Sequence, residues 1–543
     1  MKLLAAVLSF LLSFELSYAQ SGQWTWMKGD TSFYVWYYKE QLEVEDSSYH
    51  PPALYMASNW TDDQGRLWLF GGLNYYQFDL SPAYFDFIWR YNPSTNNWAC
   101  MKASQYVNGL GEYGTLGVPD SINYPSGRIA AALWKDTSGI IWMFGGINGW
   151  GAWNDLWKFD MSTNNWTWVK GPDTWDVAGS YGGLGIPSPD NNPPPRGESA
   201  SWIDDNNDLW LFGGYWLNTS VGWEYYSDLW KYNIATNMWT WMGGNNEVDQ
   251  NGNNGVKGLP STNNLPRSRS CNCSWTDTVG NFYLFGGNTF WPLSDLFDDV
   301  WRYNPNTKEW TWLSGLDTTD SHGFIDQYCQ YNDENLPISR AQSACIKLNS
   351  DEVFVFGGLV RWTPSASITR DVWKYRISSN EWKIIWGDSV HVPGNFGTQG
   401  VYSPTNDPPS REGASCWKGN NDTVWIYGGN YNISWNSMAD LWRYVLDSTC
   451  TIISTSEVIN AKNFEIEIYP NPANDRINIV YNIEEPCLLE IIDINGQRVA
   501  SVGLFHYFKN RLLNVSELPP GVYLAAVSCK GERVWSEKVV VQR

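Results

Sequence analysis

Short apolar runs that end in a Gly-Gly pair mark the first four-fifths of the chain. They read LWLFGG, IWMFGG, LWLFGG, FYLFGG, VFVFGG and VWIYGG, and their second glycines are Gly72, Gly146, Gly214, Gly287, Gly358 and Gly429. Four continuous apolar residues before a turn are typical of a strand that is buried on both faces. Because the pairs recur about 70 residues apart, the pattern predicts six copies of one supersecondary unit.

Each copy contains three further segments with strand patterns. In the second copy, residues 128–134 are mostly small and apolar, residues 155–159 alternate between polar and apolar positions, and residues 165–169 alternate around two tryptophans. The turns between strands one and two and between strands three and four are short and rich in Asp, Asn, Gly and Pro, as tight hairpins require. The chain is therefore predicted to be all-β, with six four-stranded blades of a β-propeller.

The last copy lacks a fourth strand in its expected place. The fourth strands of the first five copies carry Trp98, Trp166, Trp239, Trp310 and Trp382, whereas the sixth copy runs from DLWRYV into unrelated sequence. A matching Trp24-Thr25-Trp26 string stands near the start of the chain. We expect this N-terminal strand to pair beside Trp442 and close the propeller, because an unpaired sheet edge promotes aggregation. The alternative is the stump of an incomplete seventh blade.

These phrases resemble the kelch repeat, in which Gly-Gly ends the second strand and aromatic residues mark the third and fourth strands. The resemblance covers residues 22–449 and implies a six-bladed kelch-type β-propeller. Kelch units are commonly about 50 residues long, so these units carry about 20 additional residues. The long segments follow strands two and four, and chain direction alone places both connections on the same face of an up-and-down blade. We expect a ligand to meet that face.

The loops between strands two and three are rich in aromatic residues, which stack on sugar rings and anchor protein interfaces. The candidate binding residues in these loops are Trp150, Trp153, Trp216, Trp223, Tyr225, Trp291, Trp362 and Trp435. The alternative is that most of these side chains pack the long loops against one another.

An arginine precedes strand one in five of the six copies. These residues are Arg128, Arg196, Arg269, Arg340 and Arg411, and the first copy has Leu54 at this position. Because each follows a long loop and enters the innermost strand, we expect the guanidinium groups at the mouth of the central channel, where they meet an anionic group of a ligand. Pairing with neighbouring carboxylates is the alternative.

Composition excludes several classes of function. The formal net charge of −21 and the lack of a Lys/Arg cluster argue against nucleic acid as a partner. The four histidines have no recurring partner and no Gly-rich phosphate loop is present, so we predict no metal, no cofactor and no catalytic residue. Nine cysteines in an exported chain predict one or two disulfides and at least one unpaired thiol.

Binding is favoured over catalysis, but two enzymes remain as alternatives. Galactose oxidase and a six-bladed sialic acid epimerase are propellers that this chain resembles. For an epimerase-like reaction, Glu198 and Glu412 are the candidates for the general base, with Arg196 and Arg411 as the neighbouring anion binders.

Both ends of the chain carry export signals. Residues 1–19 have the charge, apolar run and small-residue exit of a secretory signal peptide. The propeller is predicted over residues 20–450, a linker over 451–462 and a small Ig-like β-sandwich of about seven strands over 463–543. No window of about 18 uninterrupted apolar residues follows the signal, so no transmembrane segment is predicted.

The last 80 residues are similar to the C-terminal sorting domain of type IX secretion cargo from Bacteroidota. The matching strings are Tyr469-Pro470-Asn471-Pro472, Asp493-Ile494-Asn495-Gly496, Gly521-Val522-Tyr523 and Lys538-Val539-Val540-Val541. The similarity implies that secretion machinery is a partner and that the protein is secreted or attached to the outer surface. We therefore expect an exported propeller that binds an extracellular glycan or protein.

Overall fold

Every regular element in the described part of the chain is a β-strand. The structure is a computed structural model that describes residues 13–542 apart from residues 38, 76–80, 105–106, 219–221, 290–294, 363–364, 388–390, 433–435, 459–464, 475, 484–485, 494–496, 505–509, 517 and 530–531. Most of the predicted signal peptide, residues 1–12, lies outside this part. The chain divides into two compact units, residues 20–450 and residues 451–543 together with 1–19.

Four four-stranded antiparallel sheets follow one another in the larger unit, and three of them carry a short hairpin between their second and third strands. The first sheet contains β2 (Ser58–Thr61), β3 (Leu67–Phe70), β6 (Ile88–Asn92) and β7 (Asn97–Lys102), with the hairpin β4 (Leu73–Tyr75) and β5 (Pro82–Tyr84). The second contains β8 (Ala132–Lys135), β9 (Ile141–Phe144), β10 (Leu156–Asp160) and β11 (Asn165–Lys170). The third contains β12 (Ala200–Ile203), β13 (Leu209–Phe212), β16 (Leu229–Asn233) and β17 (Met238–Gly243), with β14 (Tyr215–Asn218) and β15 (Gly222–Tyr225). The fourth contains β18 (Cys273–Thr276), β19 (Phe282–Phe285), β22 (Val300–Asn304) and β23 (Glu309–Ser314), with β20 (Asn288–Thr289) and β21 (Asp295–Leu296).

The fifth and sixth repeats share one nine-stranded sheet with the N-terminal strand. The strands are β1 (Ser13–Lys28), β24 (Arg340–Ala341), β25 (Ala344–Lys347), β26 (Glu352–Trp362), β27 (Ser365–Arg376), β28 (Glu381–Gly387), β29 (Ser415–Lys418), β30 (Thr423–Tyr427) and β31 (Leu441–Val458). Their order is β24-β26-β27-β28-β1-β31-β30-β29, with β25 also paired to β26. The N-terminal strand thus lies beside β31, where the Trp24-Thr25-Trp26 string predicted it.

The fourth-strand tryptophan of each repeat packs on the aromatic residue before Gly-Gly in the preceding repeat. With ring centroids 4.6 to 5.4 Å apart, the pairs are Trp98 with Tyr427, Trp166 with Phe70, Trp239 with Phe144, Trp310 with Phe212, Trp382 with Phe285 and Trp24 with Phe356. All six tryptophans are buried. Since repeat one packs on repeat six, the series returns to its start.

Six residues, one from each repeat, also form a closed ring of backbone hydrogen bonds. Each N–H donates to the carbonyl of the ring residue in the preceding repeat over 2.8 to 3.1 Å, in the order Met56, Gly413, Gln342, Cys271, Glu198, Ala130 and back to Met56. All six have φ between 53° and 62°, a region that costs a non-glycine residue of order 1–3 kcal/mol. We call these residues the axial ring. Small antiparallel sheets arranged in this way fit a kelch propeller, and the axial ring contains one residue from each of the six repeats.

The long connections between repeats cover the outer edges of the sheets. Gly117, Gly185, Gly258 and Gly400 donate their N–H groups to Trp168, Trp241, Trp312 and Trp26, each on the fourth strand of the following repeat, over 2.7 to 2.8 Å. We call these connections edge caps. We expected the additional residues of each repeat to build up one face of the propeller. For the tips of the edge caps this is wrong, because they pair with the fourth strands and so satisfy the N–H and C=O groups of an outer strand that would otherwise be exposed.

A buried asparagine fastens five of the edge caps. Asn264 donates from Nδ2 to Leu259 O at 2.9 Å and to Trp310 O at 3.0 Å. Asparagines at equivalent positions make the same pair of bonds within the cap and to the fourth strand; they are Asn123, Asn191, Asn335 and Asn406. The repeat therefore contains its own device for protecting a sheet edge.

The smaller unit contains two antiparallel sheets around one apolar core. The first sheet has the order β32 (Glu465–Tyr469), β33 (Arg476–Asn482), β36 (Asn510–Asn514), and the second has the order β35 (Arg498–Leu504), β34 (Cys487–Ile492), β37 (Gly521–Cys529), β38 (Glu532–Val541). Ile477 and Ile479 of the first sheet share the core with Leu489 and Val527 of the second. Seven strands were expected, and the structure has seven.

Three disulfides are present, one more than the largest number expected. They join Cys273 to Cys345, Cys329 to Cys450 and Cys487 to Cys529, and they leave Cys100, Cys271 and Cys416 as free thiols. The sequence could not indicate these pairs because each joins strands or loops that only the fold brings together. Cys487 and Cys529, for example, lie directly opposite each other on β34 and β37.

Candidate functional site

Trp150 is the predicted aromatic candidate with the most exposed side chain. It lies between β9 and β10 and is 53% exposed, whereas Trp153 and Tyr225 are buried at 0% and 1% exposure. Trp216 and Trp223, on β14 and β15, are partly exposed. Trp291, Trp435 and the side chain of Trp362 lie outside the described residues. Among the described residues, the aromatic candidates that are at least partly exposed are therefore Trp150, Trp216 and Trp223.

Trp175, which sequence reasoning missed, lies next to Trp150. The two ring centroids are 5.9 Å apart with an interplanar angle of 35°, and Trp153 lies behind them at 6.0 Å from Trp175. Trp175 belongs to the connection between repeats two and three, so a search confined to the loops after strand two could not find it. Its isolated position in the polar string GPDTWD was the available signal. We refer to Trp150, Trp175 and Trp216 as the aromatic platform.

Asp176 holds the three segments of the aromatic platform together. Its N–H donates to Ala152 O at 2.8 Å, and its Oδ1 accepts from the N–H of Ala152 at 2.9 Å and from Nε1 of Trp216 at 2.7 Å. A Cβ at Gly151 would lie 2.5 Å from the Asp176 carboxylate, so a side chain there would displace it. Oδ2 of Asp176 makes no hydrogen bond to any described residue and is left as an acceptor beside the indole rings.

A second carboxylate flanks Trp216. In the β14–β15 hairpin, Trp216 pairs directly with Glu224, so the two side chains lie side by side on one face. On the other face Tyr215 contacts Trp223, with ring centroids 5.2 Å apart. Trp216 thus donates to the Asp176 carboxylate and lies beside Glu224.

A surface cleft of about 260 Å³ adjoins the segment that carries Trp175, and its lining includes Val177, two residues after Trp175. Its lining includes Lys170, Val177, Ser180, Pro189, Asp190 and Asn192. The Lys170 ammonium donates to Pro189 O, and partial burial lowers the pKa of this lysine. The platform and the cleft together offer apolar faces beside hydrogen-bonding groups, which is the composition of a small-ligand site.

The five candidate arginines are buried and do not meet a ligand. Arg196, for example, is 1% exposed and makes a bidentate ion pair with Asp228, with a third bond to Gly213 O at 3.0 Å. The other arginines pair in the same way: Arg128 with Asp155, Arg269 with Asp299, Arg340 with Asp371 and Arg411 with Asp440. The expectation that they receive an anion at the channel mouth is corrected, because each guanidinium charge is already neutralised inside the fold.

The first repeat replaces both members of this ion pair. Leu54 stands where the arginine lies in the other repeats, and Phe87 stands where the aspartate lies; both are buried in the same apolar cluster. In the other repeats the aspartate accepts from a tryptophan Nε1, as Asp228 does from Trp230 at 2.8 Å. Nε1 of Trp89, the equivalent tryptophan, is buried without a partner. The paired replacement shows that the ion pair is a structural element.

A polar cluster surrounds one half of the axial ring. Cys271 donates to Glu198 Oε2, Ser270 Oγ donates to the same oxygen at 3.0 Å, and Gln342 Nε2 contacts Cys271 Sγ at 3.6 Å. Burial raises the pKa of Glu198 to about 7 and that of Glu412 to about 8. Such values suit general acid–base catalysis. However, the arginines that the epimerase-like alternative requires are the buried, paired Arg196 and Arg411.

The described histidines, cysteines and acidic residues form no group of three or more that could hold a metal ion. His50 contacts its neighbour Pro51 O through Nδ1 at 3.1 Å, and His391 lies 4.6 Å from the ring of Tyr431. Within the part of the chain that the structure covers, no helix is long and apolar enough to cross a bilayer.

Comparison with known proteins identifies the C-terminal unit. Residues 467–542 match the family described as the secretion system C-terminal sorting domain. The domain indicates export and implies an interaction with secretion machinery, leading to secretion or attachment to the outer surface.

The propeller unit is similar to kelch proteins. It matches Kelch domain-containing protein 10 of Bos taurus and of Homo sapiens, each 26% identical over 300 residues, and that of Rattus norvegicus, 24% identical over 302 residues. The matches cover 48% of this chain and 60% of the bovine and human proteins. The chain thus spans about three-fifths of these relatives.

Proposed function

We propose that this exported chain, with its sorting domain and kelch-type propeller, binds an extracellular glycan at the aromatic platform. Export places the platform outside the cell, where polysaccharides and glycoproteins are available as ligands. The function is binding, and the propeller supplies a rigid support for loops that present the ligand site.

The observation that carries the proposal is the exposure of Trp150 beside Trp175. An indole face that remains 53% exposed leaves a large apolar area in water, and the ring 5.9 Å away enlarges it. The C–H faces of a sugar ring cover such a surface, while its hydroxyl groups donate to an oxygen such as Asp176 Oδ2. A protein partner uses the same anchors, but the carboxylate acceptor beside them favours a ligand rich in hydroxyl groups.

A glycan array probed with the full chain tests the proposal. We expect retention on a subset of glycans that falls at least about tenfold for Trp150→Ala and Trp175→Ala, the loss of one or more kcal/mol that follows removal of an aromatic anchor. Leu184→Ala is the matched control because Leu184 is 59% exposed at the tip of the same edge cap that carries Trp175, and it should bind as the native chain does.

Trp153→Ala shows how a loss of retention looks when it is caused by a loss of stability. Trp153 is fully buried and lies over the Arg128 guanidinium at 4.8 Å, so its loss should lower the unfolding midpoint as well as retention. The proposal would be overturned if no glycan on the array retained the native chain, or if Trp150→Ala were retained as well as the native chain. Either result would favour a protein ligand or another surface.

A further inference from the structure

We propose that the aromatic platform selects glycans by charge: it prefers amino sugars with free, protonated amines to neutral sugars and rejects acidic glycans. This inference rests on the proposed function and specifies its ligand class. It departs from the sequence expectation, in which arginines received an anionic group.

Carboxylates lie on two of the three segments that build the platform. Asp176 presents Oδ2 next to Trp175, Glu224 lies beside Trp216 in the hairpin, and the exposed Asp173 precedes Trp175 by two residues. The chain as a whole carries a formal charge of −21. A carboxylate or sulfate on a glycan bound here is repelled, whereas an ammonium group gains a charge-assisted hydrogen bond.

The cationic side chains near the platform already have partners within the fold. Arg128 and Arg196, which precede the first strands of the two repeats that build the platform, are buried in ion pairs with Asp155 and Asp228. Lys170 lies five residues before Trp175; its ammonium donates to Pro189 O, and the charge of Asp190 raises its pKa against the lowering by burial. The two arginines are therefore neutralised inside the fold, and the carboxylate that acts on Lys170 is Asp190, outside the platform.

The first repeat shows how to remove the charge without disturbing the loop. Asn108 occupies the position of Asp176: its N–H donates to Tyr84 O, and its Oδ1 accepts from the Tyr84 N–H at 2.7 Å. Asp176 makes the same two bonds with Ala152. Asp176→Asn should therefore keep Oδ1 and the loop, including the bond from Trp216, while it removes the negative charge.

The experiment compares three soluble oligosaccharides by titration calorimetry with the full chain at mildly acidic pH. Chitosan and chitin oligosaccharides share one backbone and differ in the charge of the 2-amino group, and a hyaluronan oligosaccharide supplies carboxylates. We expect chitosan to bind about two- to fivefold more tightly than chitin, the range of one exposed charge pair, and hyaluronan to bind more weakly than both. Added salt should reduce the difference.

Asp176→Asn should bring the chitosan and chitin affinities together, because the ammonium group loses its charge partner, while loss of the Oδ2 acceptor weakens the binding of both. Asp205→Asn, at an exposed turn between β12 and β13, should preserve the difference. If chitin and hyaluronan bind equally, or if Asp176→Asn leaves the chitosan preference intact, the charge selection is wrong although glycan binding stands. If none of the three binds and Trp150→Ala changes nothing on the array, the proposed function itself fails.

Discussion

The indole ring of Trp24 lies 5.4 Å from the phenyl ring of Phe356, although 332 residues separate them in the sequence. In the other repeats the same contact joins a fourth-strand tryptophan to the preceding repeat. Trp24 therefore acts as the fourth-strand tryptophan of the sixth repeat, and β1 supplies the fourth strand of this repeat beside β31. The contact joins the first residues of the larger unit to its last two repeats.

Trp24→Ala should destabilise the larger unit by about 3–5 kcal/mol, the usual cost of truncating a buried tryptophan. The native side chain is 2% exposed and also contacts Trp386, Trp442 and Tyr444. Urea unfolding followed by tryptophan fluorescence measures the loss. Trp26→Ala is the control, because Trp26 lies two residues further along the same strand and is partly exposed. Equal midpoints for the two variants would contradict a closing role for Trp24.

Breaking one buried ion pair should cost more than replacing both of its members. Arg269→Leu leaves the Asp299 carboxylate buried without its cation, which should cost about 3–5 kcal/mol. The double variant Arg269→Leu/Asp299→Phe copies Leu54 and Phe87 of the first repeat and should recover most of that loss, because well-packed apolar residues often replace a buried pair at little cost. A double-mutant cycle of unfolding free energies measures the coupling. A double variant less stable than the single one would contradict the structural role.

Asn264→Ala should loosen one edge cap. The substitution removes the two side-chain bonds to Leu259 O and Trp310 O, and only the bond from the Ser261 N–H remains at Trp310 O, at a cost of about 1–3 kcal/mol for the two bonds. The exposed edge of β23 should also promote self-association, which light scattering detects. Asn263→Ala is the matched control, since Asn263 is exposed on the same loop. If the unfolding midpoint falls but light scattering does not change, Asn264 stabilises the fold without protecting the edge of β23 from self-association.

The larger unit should lose stability as the pH rises from about 4.5 to about 7. Burial raises the pKa of Glu198 from its usual 4.5 to about 7, so the folded state holds a proton that the unfolded chain has released. The contribution of this protonated carboxyl is complete below pH 4.5 and disappears as the pH approaches 7, at no more than about 1.4 kcal/mol per pH unit. Glu412 acts in the same direction, with its pKa raised to about 8.

Glu198→Gln should flatten this dependence, because a neutral amide needs no proton when it is buried. Urea midpoints at several pH values between 4.5 and 8 measure the slope, and Glu247→Gln, at an exposed glutamate, should leave it as in the native chain. A native midpoint that rises with pH over this range would contradict the burial of a protonated carboxyl.

The sequence alone indicated the repeat, the all-β class, the displaced Trp24 strand and the C-terminal sorting domain. These conclusions rest on short-range signals: an apolar run before Gly-Gly, alternation over five residues, and motifs of three or four residues. Each repeat presents the same signals, so an error in one copy is corrected by the other five. The buried tryptophans followed for the same reason, because alternation places them on the inner face of each strand.

Only the tertiary structure showed that the arginines are buried in ion pairs, where the edge caps run, which cysteines form disulfides and which residue contacts Trp150. Arg196 and Asp228 lie 32 residues apart, in the segments that precede β12 and β16, and no periodicity connects them. Trp175 reaches Trp150 because Asp176 fastens its loop to Ala152. Local pattern records which face of a strand is apolar, but whether a charged or aromatic side chain is free for a ligand depends on neighbours that the chain supplies from a distance.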